Sequence, residues 1–377
     1  MNFFDDYQNT VTSFLRTRPC QYVFCSMILF ALSSTVSLAE KMPTVEAEFR
    51  TDFQWQDNDD EDDVNLSRPT FRFIVKRAHL NLTGKMDDQI GYRLRVRWNQ
   101  SFEPQDDNTG MGLEYWYLKY QWSPALQWRI GKHHILQGGR EGAHNPIDIF
   151  QYSQLGERIK DFYEVGISAF YDLGKFAPTL QGQTMVGQFF NQTEGSSENQ
   201  YTLVYNIAWY GSFADGLIEP IVQYGVFPHA QERTQDDTTG KRTVSTTSYQ
   251  EKFFSLGVLV NLDNYIVEMD AISQYQDAYN SETTRYKAED NTSIIILGRR
   301  EGDQFSPFIK WIYDSTRPAS VTAKDTGGNE IELGTEYFPQ AGNHKYRLHT
   351  FFAYRETTDE QNTYSEYRLN FGASARF

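Results

Sequence analysis

Arg93, Arg95 and Arg97 alternate with Leu94 and Val96 in the run Tyr92–Asn99. On an extended strand these guanidinium groups share one face, about 6.8 Å apart at the usual rise per residue. Two like charges at that spacing repel by ~0.6 kcal/mol in water and ~2.4 kcal/mol at an effective dielectric near 20. Such a row needs an offset: bulk water, carboxylates on neighbouring strands, or anions. Rows of Arg and Lys serve anion passages. The competing account is pairing with acids such as Glu46, Glu48, Glu164 or Glu366, and the sequence leaves both open. Lys119, Arg129, Lys345 and Arg347 fall on the same side of their own alternating runs, as do Arg50, Lys310, Arg355 and Arg368.

A second cluster lies in residues 134–161, which hold Arg140, His144, Asp148, Arg158 and Lys160, with Pro146. A segment this long is more than a connector. It is expected to fold inward as a constriction, with Arg140 on its lining. A third cluster, Asp57 and Asp59 to Asp63 around Glu61, offers oxygen ligands that hard cations accept. It lacks the spacing and internal Gly of a calcium loop, so it is expected to be a solvated acidic loop. His133 and His134 are adjacent and point to opposite faces of a strand, so they do not form a joint metal site. There is no HExxH, no phosphate-cradling loop and no Ser/His/Asp set. No catalytic residue, metal or cofactor is expected.

Strands must position these groups. Val45, Ala47, Phe49, Thr51, Phe53 and Trp55 alternate with Glu46, Glu48, Arg50, Asp52 and Gln54. Strict period two means one apolar and one wet face. The same grammar places Trp116, Leu118 and Tyr120 against Tyr117, Lys119 and Gln121, and Tyr367, Leu369 and Phe371 against Arg368 and Asn370. One run changes phase: Phe71, Phe73 and Val75, then Ala78, Leu80 and Leu82. A bulge near Lys76-Arg77 reconciles the halves. Strands are predicted at 44–56, 70–84, 90–102, 113–122, 125–133, 162–173, 179–190, 200–211, 217–227, 249–262, 264–275, 292–300, 303–314, 331–338, 344–356 and 363–377.

The connectors between them alternate long and short. The long ones include 57–69, 134–161, 228–248 and 315–330; the short ones include 85–89, Ser123-Pro124 and Asp263. Long loops on one side and tight turns on the other, with runs of about ten residues, fit an all-β transmembrane antiparallel barrel of about 16 strands. Closure satisfies every backbone group in lipid, and this strand number leaves an aqueous lumen. Trp55, Trp98, Trp122, Trp209 and Trp311 can supply interfacial girdles. Composition agrees: 27 Phe, 24 Tyr and 7 Trp in 377 residues favour strands. With 50 acidic against 35 basic residues, net −15, nucleic acid is excluded as a partner.

At the N-terminus, Arg16 and Arg18 precede an apolar run from Tyr22 to Val36, and Ser37-Leu38-Ala39 supplies small residues before Glu40. This predicts a signal peptide over 1–39 and a barrel over 40–377. Cys20 and Cys25 both fall in the signal, so the mature chain has neither disulfide nor thiolate site.

Arg77-Ala78-His79-Leu80-Asn81-Leu82-Thr83-Gly84-Lys85, Tyr92-Arg93-Leu94, Leu118-Lys119-Tyr120 and Leu126 to Gly131-Lys132 resemble the N-terminal half of the phosphate-selective porin O/P family, over residues 71–132. The terminal strand ending on Phe377 resembles the assembly signal that the barrel-assembly machinery reads in outer-membrane porins. The resemblance implies the outer membrane of a Gram-negative bacterium, contact with lipid and lipopolysaccharide, a homotrimer, and passive diffusion of small polar or anionic solutes; strand phase and loop position make Arg93, Arg95, Arg97, Lys119, Arg129, Arg140, Lys345 and Arg347 the candidate lining. An outer-membrane barrel hydrolase and a structural or adhesion barrel are the alternatives.

Overall fold

The computed structural model describes residues 42–58, 69–99, 112–145, 147–159, 163–193, 201–229, 233–235, 242–244, 248–279, 285–318, 325–358 and 362–377. The signal segment 1–39, the acids Asp59 to Asp63, Pro146 and Lys160 lie outside them.

Alternating sequence becomes alternating burial. On β1 (Thr44–Asn58) Glu48, Arg50, Asp52 and Gln54 are buried, whereas Val45 and Phe49 are exposed. The chain continues through β2 (Thr70–Lys85), β3 (Ile90–Arg97), β4 (Leu113–Gln121), β5 (Leu126–His134), β6 (Tyr163–Asp172), β7 (Thr184–Thr193), β8 (Tyr201–Tyr210) and β9 (Ile218–His229). A short hairpin of β10 (Arg233–Gln235) and β11 (Arg242–Val244) follows, which the alternation does not anticipate. The wall resumes with β12 (Ser248–Leu262), β13 (Tyr265–Tyr279), β14 (Arg285–Arg300), β15 (Phe305–Pro318), β16 (Thr326–Tyr337), β17 (Tyr346–Thr358) and β18 (Thr363–Arg376). Leaving out the hairpin, sixteen antiparallel strands pair in chain order, and β18 closes on β1 with Trp55 opposite Leu369 and Phe49 opposite Ala375.

The two faces of this wall have opposite chemistry. Leu118, Ile130, Leu203, Ile207, Leu256, Ile309, Leu333 and Phe371 point outward and are exposed. The inward face buries Glu, Arg, Asp, Gln and Asn. An apolar exterior over a polar interior is the arrangement a bilayer selects. Trp98 and Trp122 are exposed on the outer face, as expected of girdle residues.

Several boundaries differ from expectation. β3 ends at Arg97, short of 102. β7 begins at Thr184 rather than 179, because the connector winds into two 3-10 turns, Leu173–Lys175 and Pro178–Leu180. Asp172 starts the first by accepting the Gly174 N–H at 2.9 Å, and Pro178 opens the second where its missing N–H costs nothing. β14 and β16 begin earlier than 292 and 331. The phase change in β2 falls where expected: Phe71, Phe73 and Val75 are exposed and Arg77, His79 and Asn81 buried. The Asn99 side chain covers the irregularity. It accepts the Ala78 N–H at 3.0 Å and donates to the carbonyls of Val75 and Lys76 at 2.8 and 3.1 Å.

Candidate pore constriction

The segment between β5 and β6 enters the lumen. It carries two short helices, α1 (Gly139–Ala143) and α2 (Gln154–Ile159). Neither is long enough to stand alone, so the wall must hold them. Asp270 on β13 accepts the N–H groups of Arg140 and Glu141 at 2.7 and 2.9 Å, and Gln223 on β9 accepts that of Gly139 at 2.9 Å. The backbone approaches so closely that a Cβ on Gly257 of β12 or on Gly139, whose φ is +62°, would collide with the Asp270 carboxylate.

The rest of the segment is pinned across the barrel. Lys310 on β15 binds Glu141 at 3.0 Å, and Glu141 also accepts the Ser153 hydroxyl at 2.6 Å. Arg347 on β17 donates to the Ile147 carbonyl at 2.6 Å and pairs with Asp148 at 2.8 Å. Arg376 on β18 pairs with the other Asp148 oxygen at 2.6 Å. Arg50 on β1 pairs with Asp52 at 2.8 Å and reaches the carbonyls of Ile147 and Ile149. Three apolar contacts add burial. Ile135 packs with Phe190, Val204, Phe227 and Phe253; Leu155 packs with Ile272, Ile295 and Ile312; the Phe150 ring stacks on Phe308 with centroids 5.1 Å apart. A loop touching β1, β9, β13, β15 and β17 at once crosses the lumen, as the length of 134–161 suggested.

Crossing there, the loop leaves a cavity of about 500 Å³ against β3–β8, lined by Arg93, Arg95, Tyr115, Tyr117, Arg129, Phe170 and Tyr210 on the wall and by Glu141, His144, Asn145 and Tyr152 on the loop. On the opposite side a cavity of about 70 Å³ lies among Glu268, Asp270, Glu332, Glu336, Lys310 and Arg299.

The predicted basic groups divide between these surroundings. Arg95 is 2% exposed and contacts Glu114 at 3.1 Å and Glu48 at 3.3 Å. Arg97 and Arg77 also approach Glu114, at 3.7 and 3.9 Å. Arg93, Lys119 and Arg129 differ: among the described residues none pairs with a carboxylate, and rings hold them instead. The Arg93 guanidinium sits 4.8 Å from the Tyr115 centroid, Arg129 sits 3.8 Å from Phe170 and 5.6 Å from Tyr117, and Lys119 sits 6.0 Å from Tyr117. Cation–π contact positions a charge without neutralising it.

Three basic residues expected on the lining are placed otherwise. Arg347 is spent on Asp148, Glu336 and the Ile147 carbonyl. Arg140 turns to the wall, where it bonds the Glu219 carbonyl and approaches its carboxylate at 3.4 Å. Lys345 lies exposed on the turn before β17, where Asn343 accepts its N–H at 3.1 Å. Among the other inward basics, Arg355 contacts Asp314 and Glu330 at 3.6 Å, and Arg368 contacts Glu330 at 2.8 Å.

Glu114 is the residue that sequence alternation misses. By period two it faces lipid. A register shift pairs Arg95 with Tyr115 but Val96 with Leu113, so Glu114 is the extra residue of a bulge and turns inward, 2% exposed.

His144, like Glu141, is a titratable group on the loop that lines both spaces. Its Nε2 lies 2.5 Å from Glu268 Oε2. Burial works against its protonation, but the hydrogen bond and the charge of Glu268 outweigh it and raise its pKa above the ordinary 6.5.

A search of curated proteins finds no match to the chain. Solved structures share its fold at low identity. The outer membrane channel DcaP of Acinetobacter baumannii superposes with a TM-score of 0.62 at 13% identity, covering 90% of this chain and 98% of that one. OmpT, an outer membrane protein of Vibrio cholerae, gives 0.61 at 11% identity over 89% and 98%. An anion-selective porin from Comamonas acidovorans gives 0.59 at 13% identity over 90% and 100%. The family model for phosphate-selective porin O and P matches residues 44–298, well beyond the 71–132 on which the resemblance first stood. With that match over most of a closed sixteen-stranded barrel, the chain belongs to the phosphate-selective porin O and P family of outer-membrane channels.

Proposed function

We propose that this porin conducts small hydrophilic solutes by passive diffusion with a bias toward anions. One observation carries the reading: Arg93, Lys119 and Arg129 face the lumen from adjacent strands without carboxylate partners among the described residues. The net charge of −15 argues the other way. Location decides between them. Charges beyond about 8 Å are screened at physiological salt, so acids on external loops act weakly on an ion inside the passage. Cations on a low-dielectric wall act on it strongly. The solved anion-selective porin of the same fold is consistent with this bias.

The reading includes export through a signal over residues 1–39, residence in the outer membrane of a Gram-negative bacterium, insertion by the barrel-assembly machinery with Phe377 as a recognition element, contact with lipopolysaccharide, and a homotrimeric assembly. The test of the bias is the reversal potential in a salt gradient across a planar bilayer. The wild-type channel should favour chloride over potassium, and replacing Arg93, Lys119 and Arg129 together by Gln should lower that ratio. A cation-selective wild type, or an unchanged ratio in the variant, contradicts the reading.

A further inference from the structure

The unneutralised cations stand among aromatic rings, and this combination narrows the kind of anion the passage favours. Arg93 lies opposite Tyr117 in the β3–β4 register, and Lys119 lies opposite Arg129 in the β4–β5 register. The Tyr117 ring is therefore central: cations flank it on both strands, and its edge meets the His133 ring at 5.6 Å. Phe170, from β6, comes up under Arg129.

We infer that this wall is a binding site for aromatic carboxylates, favoured over inorganic phosphate and over small aliphatic acids. The inference rests on the anion bias proposed above and specifies its substrate class. Three features support it. First, the donors are side chains. The site's backbone N–H groups are engaged in the strand ladder, so an anion finds guanidinium, ammonium and phenol donors. A guanidinium edge takes two oxygens of a carboxylate or of a phosphate alike, so the rest of the ligand decides which anion is held best. Second, donors remain available. A ring lies against the face of each guanidinium, and among the described residues no carboxylate engages either group; Arg93 gives one bond, from Nη2 to Asn81 Oδ1 at 3.4 Å. Third, the volume and lining suit a ring. About 500 Å³ greatly exceeds a phosphate ion, and Tyr115, Tyr117, Phe170 and Tyr210 supply the aromatic lining that retains an apolar body. A ligand ring placed beside Tyr117 or Phe170 extends contacts that these residues already make with the cations.

The test uses the purified full-length protein in planar bilayers under potassium chloride. Sodium benzoate, acetate and phosphate are each titrated as blockers of the chloride current. Benzoate should half-block at about fivefold lower concentration than acetate or phosphate, a ratio equal to ~1 kcal/mol. Phe170→Leu should remove most of that advantage, and Phe170→Tyr should keep it. The wild-type comparison needs no variant to fold. Equal block by benzoate and acetate, or strongest block by phosphate, overturns the inference; with a reversal potential still favouring chloride, the anion bias survives. A cation-selective reversal potential overturns both.

Discussion

Ala47 and Phe377 exchange backbone hydrogen bonds across the closing seam of the barrel, Ala47 N–H to the Phe377 carbonyl at 3.3 Å and Phe377 N–H to the Ala47 carbonyl at 3.0 Å. The Phe377 ring adds edge contacts to Phe49 and Tyr346, with centroids 6.3 and 5.5 Å apart. Each aromatic pair is worth ~0.5–1.5 kcal/mol. Phe377→Ala keeps the backbone pair and removes both ring contacts. It should lower the amount of folded barrel recovered from outer membranes, scored by its shifted gel mobility before and after heating. Wild-type recovery would assign Phe377 no part in seam closure or assembly.

The inserted loop should be releasable by single substitutions on the wall or in the loop. Lys310→Met leaves Glu141 buried without its cation, a change that costs ~3–5 kcal/mol when a buried pair is broken. Leu155→Ala empties an apolar contact at a cost of ~2–5 kcal/mol. The two act by unrelated chemistry, yet both should give larger and noisier single-channel currents, because both weaken the docked loop. Wild-type conductance in both variants would show that the loop does not limit the current.

Loop docking should also respond to pH. His144 has its pKa raised by Glu268, with Asp148 adding to the effect and Arg299 opposing it. A His with a raised folded-state pKa contributes stability that is complete below its ordinary value of 6.5 and is lost as pH rises through the raised value. Current fluctuations should therefore increase from mildly acid to alkaline pH. His144→Gln, which cannot titrate, should flatten this dependence; an unchanged profile in the variant would place the pH sensitivity elsewhere.

The wall was legible in the sequence because period two is a local signal. Strands such as β1, β4 and β18 announce themselves by which residues face lipid. Pairing inside the lumen is not local. Asp270 meets the N–H of Arg140 from 130 positions away, and Arg347 meets the Ile147 carbonyl from 200. Inward direction was therefore readable for Arg347 and Lys310, while their engagement by the loop was not. Lys345 fails for a smaller reason: the strand begins one residue later, so the parity that aims Arg347 inward no longer governs it. Glu114 fails because a bulge inverts parity at that residue.

That bulge makes Glu114 the residue whose loss should be felt most. Its carboxylate is 2% exposed and stands 3.1 Å from Arg95, 3.4 Å from His79, 3.7 Å from Arg97 and 3.9 Å from Arg77. Glu114→Gln keeps the shape and removes the charge, leaving Glu48 as the remaining carboxylate against Arg95. Stripping a buried charge of its partner costs ~3–5 kcal/mol, and Glu48 offsets part of that. Glu114→Gln should therefore lower the Tm of the barrel in detergent. It should also raise the chloride-to-potassium permeability ratio, because the passage beside Arg93 and Arg95 becomes more positive. Adding Arg95→Gln should recover part of the Tm and reverse the gain in selectivity. This non-additivity is what direct contact requires. If the two substitutions simply add, Glu114 and Arg95 do not act as a pair.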